Sequence, residues 1–518
     1  MPTILDESEA KPKLVRGLGQ LDATMIVMGS MIGSGIFITS AESSRLVGAP
    51  GWLLMAWALS GLMTLTGALC CSEIAAMMPR AGGQYVFLRE AYGRAFGFLF
   101  GWSLFLVVQT GTIAAVAVAF AKFLGVFLPI VSANVYVIPP WVFGRYALSL
   151  STQQFVAIAV IAGLTATNTR GLETGKWIQN TFTFTKTAAL IGLILVGFAF
   201  GINRGAAAWT SSWFNPWANG WTPAQAQPGL PLAGGLALAM LLGRAMIGPL
   251  FSQSAWNNVT FTGGEVRNPG RSLPLALTIG CGSVVALYLL ANVAYLVALP
   301  FDRIQNAPQD RVATALMQAV ASPHGQLGTF LMAGAILIST FGCVNGLILA
   351  GARVFYAMAG DGLFFAKAGT TNRYHVPAAA LVAQGIWAAL LTLPVTVKLH
   401  PTTRVVEYGN LYNQLLEYII PADVTFYMLM VGAVIVLRRK APHLDRPYRV
   451  VAYPLPALIY ISLAILLVLD FIYLAPETSG IGYLIVLTGI PVYLIWARMA
   501  KPVGHDEDPE PEAVAGAS

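Results

Sequence analysis

Apolar residues run along this chain in long, nearly unbroken stretches, separated by short polar segments that carry most of the charge. A helix crosses a bilayer with about 20 apolar residues. The pattern predicts twelve such spans, at about 21–45, 50–78, 95–124, 152–168, 177–201, 232–262, 274–299, 327–357, 377–396, 412–437, 452–474 and 480–498. The fourth is short. Several others exceed what a perpendicular helix needs, which predicts tilt or interruption.

Composition agrees with the pattern. Of 518 residues, 56% are hydrophobic and only 10% charged, against about 25% charged in soluble proteins. Soluble enzymes, secreted disulfide scaffolds and disordered chains are excluded; the fold class is an all-α integral membrane protein. The four cysteines, Cys70, Cys71, Cys281 and Cys343, lie in apolar runs, and the five histidines lie in loops or tails. No disulfide framework and no metal-ligand spacing results, so no metal, no cofactor and no nucleic-acid partner is expected. Residues 1–20 lack an apolar signal core and read as a cytoplasmic N-terminal segment. Residues 499–518 are acidic, Pro-rich and free of aromatics, and read as a disordered cytoplasmic tail.

The net charge of +7 matters through its placement. With both termini in the cytoplasm, twenty Lys and Arg fall on inner segments and seven on outer ones, a bias that an odd number of spans would destroy. Lys122, Lys186 and Arg244 remain inside spans. The outer loops 125–150 and 202–231 are long and rich in Trp, Pro and Ser, with loose loops the expected outcome.

Two spans are interrupted near their middles. In the first, Gly29-Ser30-Met31-Ile32-Gly33-Ser34-Gly35-Ile36-Phe37 gathers three glycines and two serines, each glycine weakening a helix by about 1 kcal/mol relative to alanine. In the sixth, Gly248-Pro249-Leu250-Phe251-Ser252-Gln253-Ser254-Ala255-Trp256 sets a proline before three polar side chains. Broken backbone at that depth survives where it lines a cavity or is covered by protein. Breaks in spans one and six are what a five-plus-five inverted repeat produces, with half-helix amides meeting a substrate carboxylate and free carbonyls its ammonium. The alternative is that each glycine cluster is a close helix-packing face.

These residues carry a resemblance. The chain resembles the amino acid–polyamine–organocation superfamily over about residues 15–500, closest to its L-type amino-acid transporter branch. Gly33-Ser34-Gly35-Ile36-Phe37 matches the first-helix motif; Glu73, Pro79, Arg80, Gly82, Gly83 and Tyr85 match the motif after the second. Phe251, Trp256, Asn257, Glu265, Asn268, Pro269, Arg271, Leu273 and Pro274 resemble the sixth helix and its loop. Gly342 to Gly346 with Arg353 and Gly362 resemble the eighth helix, and Leu437-Arg438-Arg439 with Arg446-Pro447-Tyr448 the loop after the tenth.

The resemblance implies a five-plus-five inverted-repeat (LeuT-like) core with discontinuous helices 1 and 6. Residues 21–201 would form the first repeat, 232–437 the second, and 452–498 helices 11 and 12. It implies an amino-acid substrate bound by Ile32, Gly33, Ser34 and Gly35, closed over by Phe251, with Ser252, Gln253 and Ser254 lining the pocket. The family has glycine near Ser254 and Ala255; side chains here mean a narrower pocket or a shifted break. It also implies multi-pass insertion in the cell inner (plasma) membrane. Animal members bond a heavy subunit through a cysteine that 125–150 lacks, so no disulfide-linked heavy subunit is expected.

Two charges stand out of place. A lysine inside a span costs a few kcal/mol, about 3 on insertion scales, yet Lys186 sits within the fifth. Its readings are a proton-exchanging amine or a structural ammonium on carbonyls freed by the first break. The resemblance places it where sodium-coupled relatives hold a cation, arguing for exchange or proton coupling instead of sodium. Asp423, in the tenth span, would favour a cationic side chain or bind a proton, unless it pairs internally with Arg244. Glu417 reads as solvated or capping, Glu73 and Asp470 as interfacial, and Arg438-Arg439-Lys440 as a topology anchor. No His-Glu-x-x-His pair, phosphate loop or nucleophile–base set lies within the spans. A secondary amino-acid transporter working by alternating access is therefore the expected function, a cationic amino-acid or polyamine antiporter the alternative, and a nutrient sensor or channel of the same fold a further one.

Overall fold

A computed structural model describes residues 17–80, 82–170, 175–201, 212–227, 230, 232–320, 325–374, 376–399 and 406–499. The readings of the terminal segments before 17 and after 499 lie outside the described residues, as does much of the loop 202–231.

Long helices follow the apolar runs. They are α1 (Gln20–Met31), α2 (Gly35–Val47), α3 (Pro50–Met77), α4 (Arg94–Phe127, with a π turn at Leu104–Val108), α5 (Thr152–Asn168), α6 (Gly175–Gly201) and α7 (Gly234–Ala245). After them come α8 (Ile247–Ser252), α9 (Pro269–Ala298), α10 (Gly325–Gly360), α11 (Ala378–Leu391), α12 (Leu411–Lys440), α13 (Leu455–Leu474) and α14 (Ser479–Met499). Among the described residues, nine helices are long and apolar enough to cross a membrane, and ten spans result if the bent pair α1–α2 counts as one. The protein is a multi-pass membrane protein.

Burial separates core from periphery. α1 packs against α9 and α6, while α2 packs against α7 and α8. Small residues allow the close crossing: a Cβ on Gly35 would collide with Ser252 and one on Gly248 with Thr39. α13 and α14 turn Leu466, Leu469, Leu484 and Leu494 outward, a surface that suits lipid.

Three sequence expectations need correction. The all-α class is incomplete, because strands β1 (Tyr136–Phe143), β2 (Tyr146–Ser151), β3 (Pro394–Leu399) and β4 (Val406–Tyr408) form an antiparallel sheet in that order. The loop 125–150 is thus a hairpin turning at Gly144, whose φ of +61° suits a two-residue turn. Its Trp, Tyr, Phe and Val content, read as loop, is strand-forming. Thirdly, the sixth span does not unwind at Pro249, which sits in the first turn of α8 where a missing amide costs nothing. It unwinds at Gln253–Asn257, after which a short helix Asn258–Phe261 resumes.

Candidate functional site

The first break is short. α1 ends at Met31, Ile32 leaves the helix at ψ +88°, and α2 restarts at Gly35 with a bend of 40°. Helix ends expose carbonyls on one side and amides on the other. The α1 carbonyls are largely taken by the protein itself. Gly29 O accepts from Lys186 Nζ, Met31 O from Tyr288 Oη at 2.9 Å, Ile32 O from Ser339 Oγ at 3.5 Å, and Ser30 O from Cys343 Sγ at 3.7 Å. At the start of α2, Phe37 N donates to Ser34 O at 3.1 Å, and the amides ahead of it, of Gly35 and Ile36, have no acceptor earlier in their helix, so this is the end that suits an anionic group.

Across from it, Ser34 Oγ shares a hydrogen bond with Tyr412 Oη at 3.0 Å. The ring of Tyr412 meets Phe251 edge-on, centroids 6.0 Å apart. Ser34, Phe251 and Tyr412 therefore close one contiguous group drawn from α2, α8 and α12. Ser252 Oγ bonds Gly248 O at 2.7 Å and lies 3.4 Å from Thr39 Oγ1; Ser254 Oγ bonds Phe251 O at 2.9 Å. Gln253 is turned elsewhere, contrary to its expected place in the pocket lining. Its Nε2 donates to Trp57 O at 3.3 Å and its side chain packs on Gly61 of α3, because a buried amide seeks a partner.

Ala255 lies inside this unwound stretch. It adopts φ +64°, the left-handed region that glycine favours. Alanine holds the turn at a cost of about 1–2 kcal/mol. A network supports that strained turn. Ala255 N donates to Tyr427 Oη at 3.2 Å, Tyr427 Oη donates to Asn257 Oδ1 at 2.9 Å, and Asn257 Nδ2 donates to Gln84 Oε1 at 2.6 Å. Trp256 stacks on Tyr427 with centroids 4.9 Å apart.

Lys186 is 1% exposed, on α6, and caps the end of α1. Asp423 is also buried, one helical turn before Tyr427, and makes no hydrogen bond among the described residues. It does not pair with Arg244. Arg244 Nη2 reaches Glu417 Oε1 at 2.7 Å and its Nη1 reaches Gln227 Oε1 at 2.8 Å. Glu417 is thus an ion-pair partner and no solvated cap, six residues nearer the start of α12 than Asp423. Glu73, expected at the interface, is 1% exposed; it binds Arg438 bidentately and accepts from Val450 N at 2.8 Å. Arg438 accordingly clamps α12 to α3, a role beyond topology. Asn168 Nδ2 donates to Asn345 Oδ1 across helices at 2.8 Å.

Sequence reasoning missed Tyr412, Tyr427, Tyr288 and Ser339. Tyrosines in apolar runs look like core, and their hydroxyls acquire meaning only once the breaks they serve are located.

Comparison with known proteins points one way. The profile of the family described as amino acid permease matches residues 18–496. The mouse (Mus musculus) Asc-type amino acid transporter 1 is 29% identical over 500 residues, covering 95% of this chain and 83% of the relative. The human (Homo sapiens) large neutral amino acids transporter small subunit 2 is 28% identical over 512 residues, covering 96% and 85%. The human b(0,+)-type amino acid transporter 1 is 26% identical over 516 residues, covering 97% and 93%.

Proposed function

The chain belongs to the amino acid permease family, and on that premise we propose how its two interrupted spans carry an amino acid across the membrane. It is an amino-acid transporter and no enzyme. The observation that carries the mechanism is the bridge Tyr412 makes between Ser34 of the first break and Phe251, just ahead of the second. The backbone of Ile32, Gly33, Ser34 and Gly35 receives the substrate carboxylate. Phe251 closes over it, and Ser252 and Ser254 border it. Twelve spans in a five-plus-five inverted repeat (21–201 and 232–437, then 452–498) is the architecture this reading requires. It counts α5 and α11 as short spans and α7–α8 with Asn258–Phe261 as one broken span.

Transport is sodium-independent in this reading, because an ammonium, that of Lys186, sits on the carbonyls where a metal cation would sit. Exchange and proton coupling both fit. An unpaired Asp423 favours a cationic amino acid or polyamine as the second reading, since a buried carboxylate is stable only when a cation or a proton covers it. Both termini lie in the cytoplasm and the sheet lies outside, in the plasma membrane, as the basic-residue bias requires. A heavy subunit is not joined by a disulfide, as residues 125–150 contain no cysteine.

Radiolabelled leucine, lysine, glutamate and putrescine, offered to proteoliposomes with and without a pH gradient and with and without sodium, test this. Saturable uptake unchanged by sodium is expected, stimulated by internal substrate if exchange operates and by an inward proton gradient if protons do. Non-saturating current would indicate a channel, and binding without flux a sensor.

A further inference from the structure

The first strand of the sheet carries an apolar face that the transport reading leaves unused. From Tyr136 to Phe143, β1 reads Tyr-Val-Ile-Pro-Pro-Trp-Val-Phe and holds no charge. Val137, Ile138, Trp141, Val142 and Phe143 are all exposed, Trp141 by 74%. The Trp141 and Phe143 rings meet edge-on, centroids 5.5 Å apart, and so form one surface. Exposed apolar side chains gathered in this way mark a surface that something covers. The same character continues into the spans. Phe127, at the end of α4, is exposed and stacks on Phe330 of α10 with centroids 5.4 Å apart, where Leu327 and Leu331 are exposed as well.

The hairpin is tied to helix ends at both of its own ends. At its base, Thr152 N at the start of α5 donates to Val135 O at 2.8 Å, and Ser132 N donates to Thr152 Oγ1 at 2.9 Å. At its turn, Arg145 pairs with Glu477, between α13 and α14, and Tyr146 Oη shares a hydrogen bond with Tyr418 Oη of α12 at 3.1 Å. A ribbon held in this way lies along the rim of the bundle, at the level where the spans leave the bilayer. β2 pairs with β3, so β1 is the free edge of the sheet among the described residues. Pro139 and Pro140 offer no amide on that edge, which therefore does not recruit another strand.

We propose that β1 is a membrane anchor, and that its apolar face sits in the boundary between headgroups and acyl chains of the leaflet on the sheet's side. Tryptophan and tyrosine concentrate at that level, and apolar faces that lie in the interface sink about 5–10 Å into it. The continuity with Phe330, Leu327 and Leu331, which already face lipid on a span, selects the bilayer as the occupant over a protein partner. The hairpin thereby pins the sheet, and with it the start of α12, to the membrane surface. This anchoring is independent of which substrate the chain moves.

The test attaches a nitroxide through Ile138→Cys or Val142→Cys in the full chain, in phosphatidylcholine proteoliposomes. The four native cysteines are all buried, and the parent chain treated in the same way sets the background. Collisions with oxygen, which concentrates in the bilayer, are compared with those of nickel ethylenediaminediacetate, which stays in water. The oxygen-to-nickel ratio at both positions should exceed by about threefold or more the ratio for the same label at Arg303→Cys, an exposed residue between α9 and α10. A ratio equal to that at Arg303→Cys would put the strand in water and overturn the proposal. A label immobilised and shielded from both reagents would mean that a second copy or another protein covers the face, and would overturn it too. If the cysteine variants fail to fold, Trp141→Phe decides the matter. The tryptophan emission lost with that substitution should be a part that lipids brominated near the top of their acyl chains quench and that aqueous iodide does not. The reverse pattern would sink the anchor.

Discussion

Lys186 and Asp423 are both buried charges beside a break in a span, yet the fold answers them differently. Lys186 is given a partner, the Gly29 carbonyl at the end of α1, so its ammonium fills a gap that the broken helix itself creates. Asp423 is given none among the described residues, although the hydroxyls of Tyr427 and Tyr460 lie within electrostatic reach. A charge that completes the backbone belongs to the scaffold of the site. One left incomplete is waiting for something the protein does not itself supply, either substrate cation or proton. In the proposed transport cycle, the difference separates a residue that holds the first break from one that would select what enters.

Removing each charge should separate these roles. Lys186→Ala strips the donor from a buried carbonyl, a loss of about 1–3 kcal/mol, and lets the end of α1 rearrange. Saturable uptake in proteoliposomes should fall to background, with a lower thermal unfolding temperature in detergent. Uptake left intact would remove Lys186 from the mechanism. Asp423→Asn breaks no contact in the fold, so its unfolding temperature should hold or rise. Its effect should appear in preference, shifting the ratio of lysine to leucine uptake by about tenfold, equivalent to about 1.4 kcal/mol. An unchanged ratio would mean that Asp423 does not face the substrate.

How much of this contrast was legible in the chain follows from where each signal resides. Glycine clusters, span-length apolar runs and isolated charges are local, and they located both breaks, Lys186 and Asp423 without coordinates. Pairing is not local. Both Glu417 and Asp423 lie on α12, far along the chain from Arg244, and nothing local in the sequence says which carboxylate Arg244 reaches; the fold chose Glu417. Gln253 looked like pocket lining because it is polar at the break, but a side chain's direction depends on the turn at Gln253–Asn257, which rotates it onto α3. The sheet escaped notice because β2 and β3 come from loops more than 240 residues apart in sequence, on the order of what long-range pairing hides from local patterns.

Arg244 sharpens the comparison at lower amplitude. Because it is held by Glu417 and Gln227, Arg244→Gln should cost about 1–3 kcal/mol of stability while leaving the lysine-to-leucine ratio within about twofold. Combined with Asp423→Asn, the two effects on that ratio should add within about 0.5 kcal/mol, as for sites that share no partner. A larger coupling would restore the Arg244–Asp423 pair during the cycle and return Asp423 to the class of completed charges.

The smallest effect tests the other side of the site. Ala255 holds the second break in a left-handed turn at φ +64°, supported by Tyr427 through its amide, and Tyr427 stands one turn beyond Asp423. Ala255→Gly removes the Cβ penalty of about 1–2 kcal/mol but loosens the unfolded chain by about 0.4–1 kcal/mol, so the net gain in stability should be small, about 1 kcal/mol or less. Uptake should persist, because the turn is already the one glycine prefers. A loss of stability would mean that the alanine methyl packs usefully against its surroundings, and that the second break, like the first, is held by a partner specific to this chain.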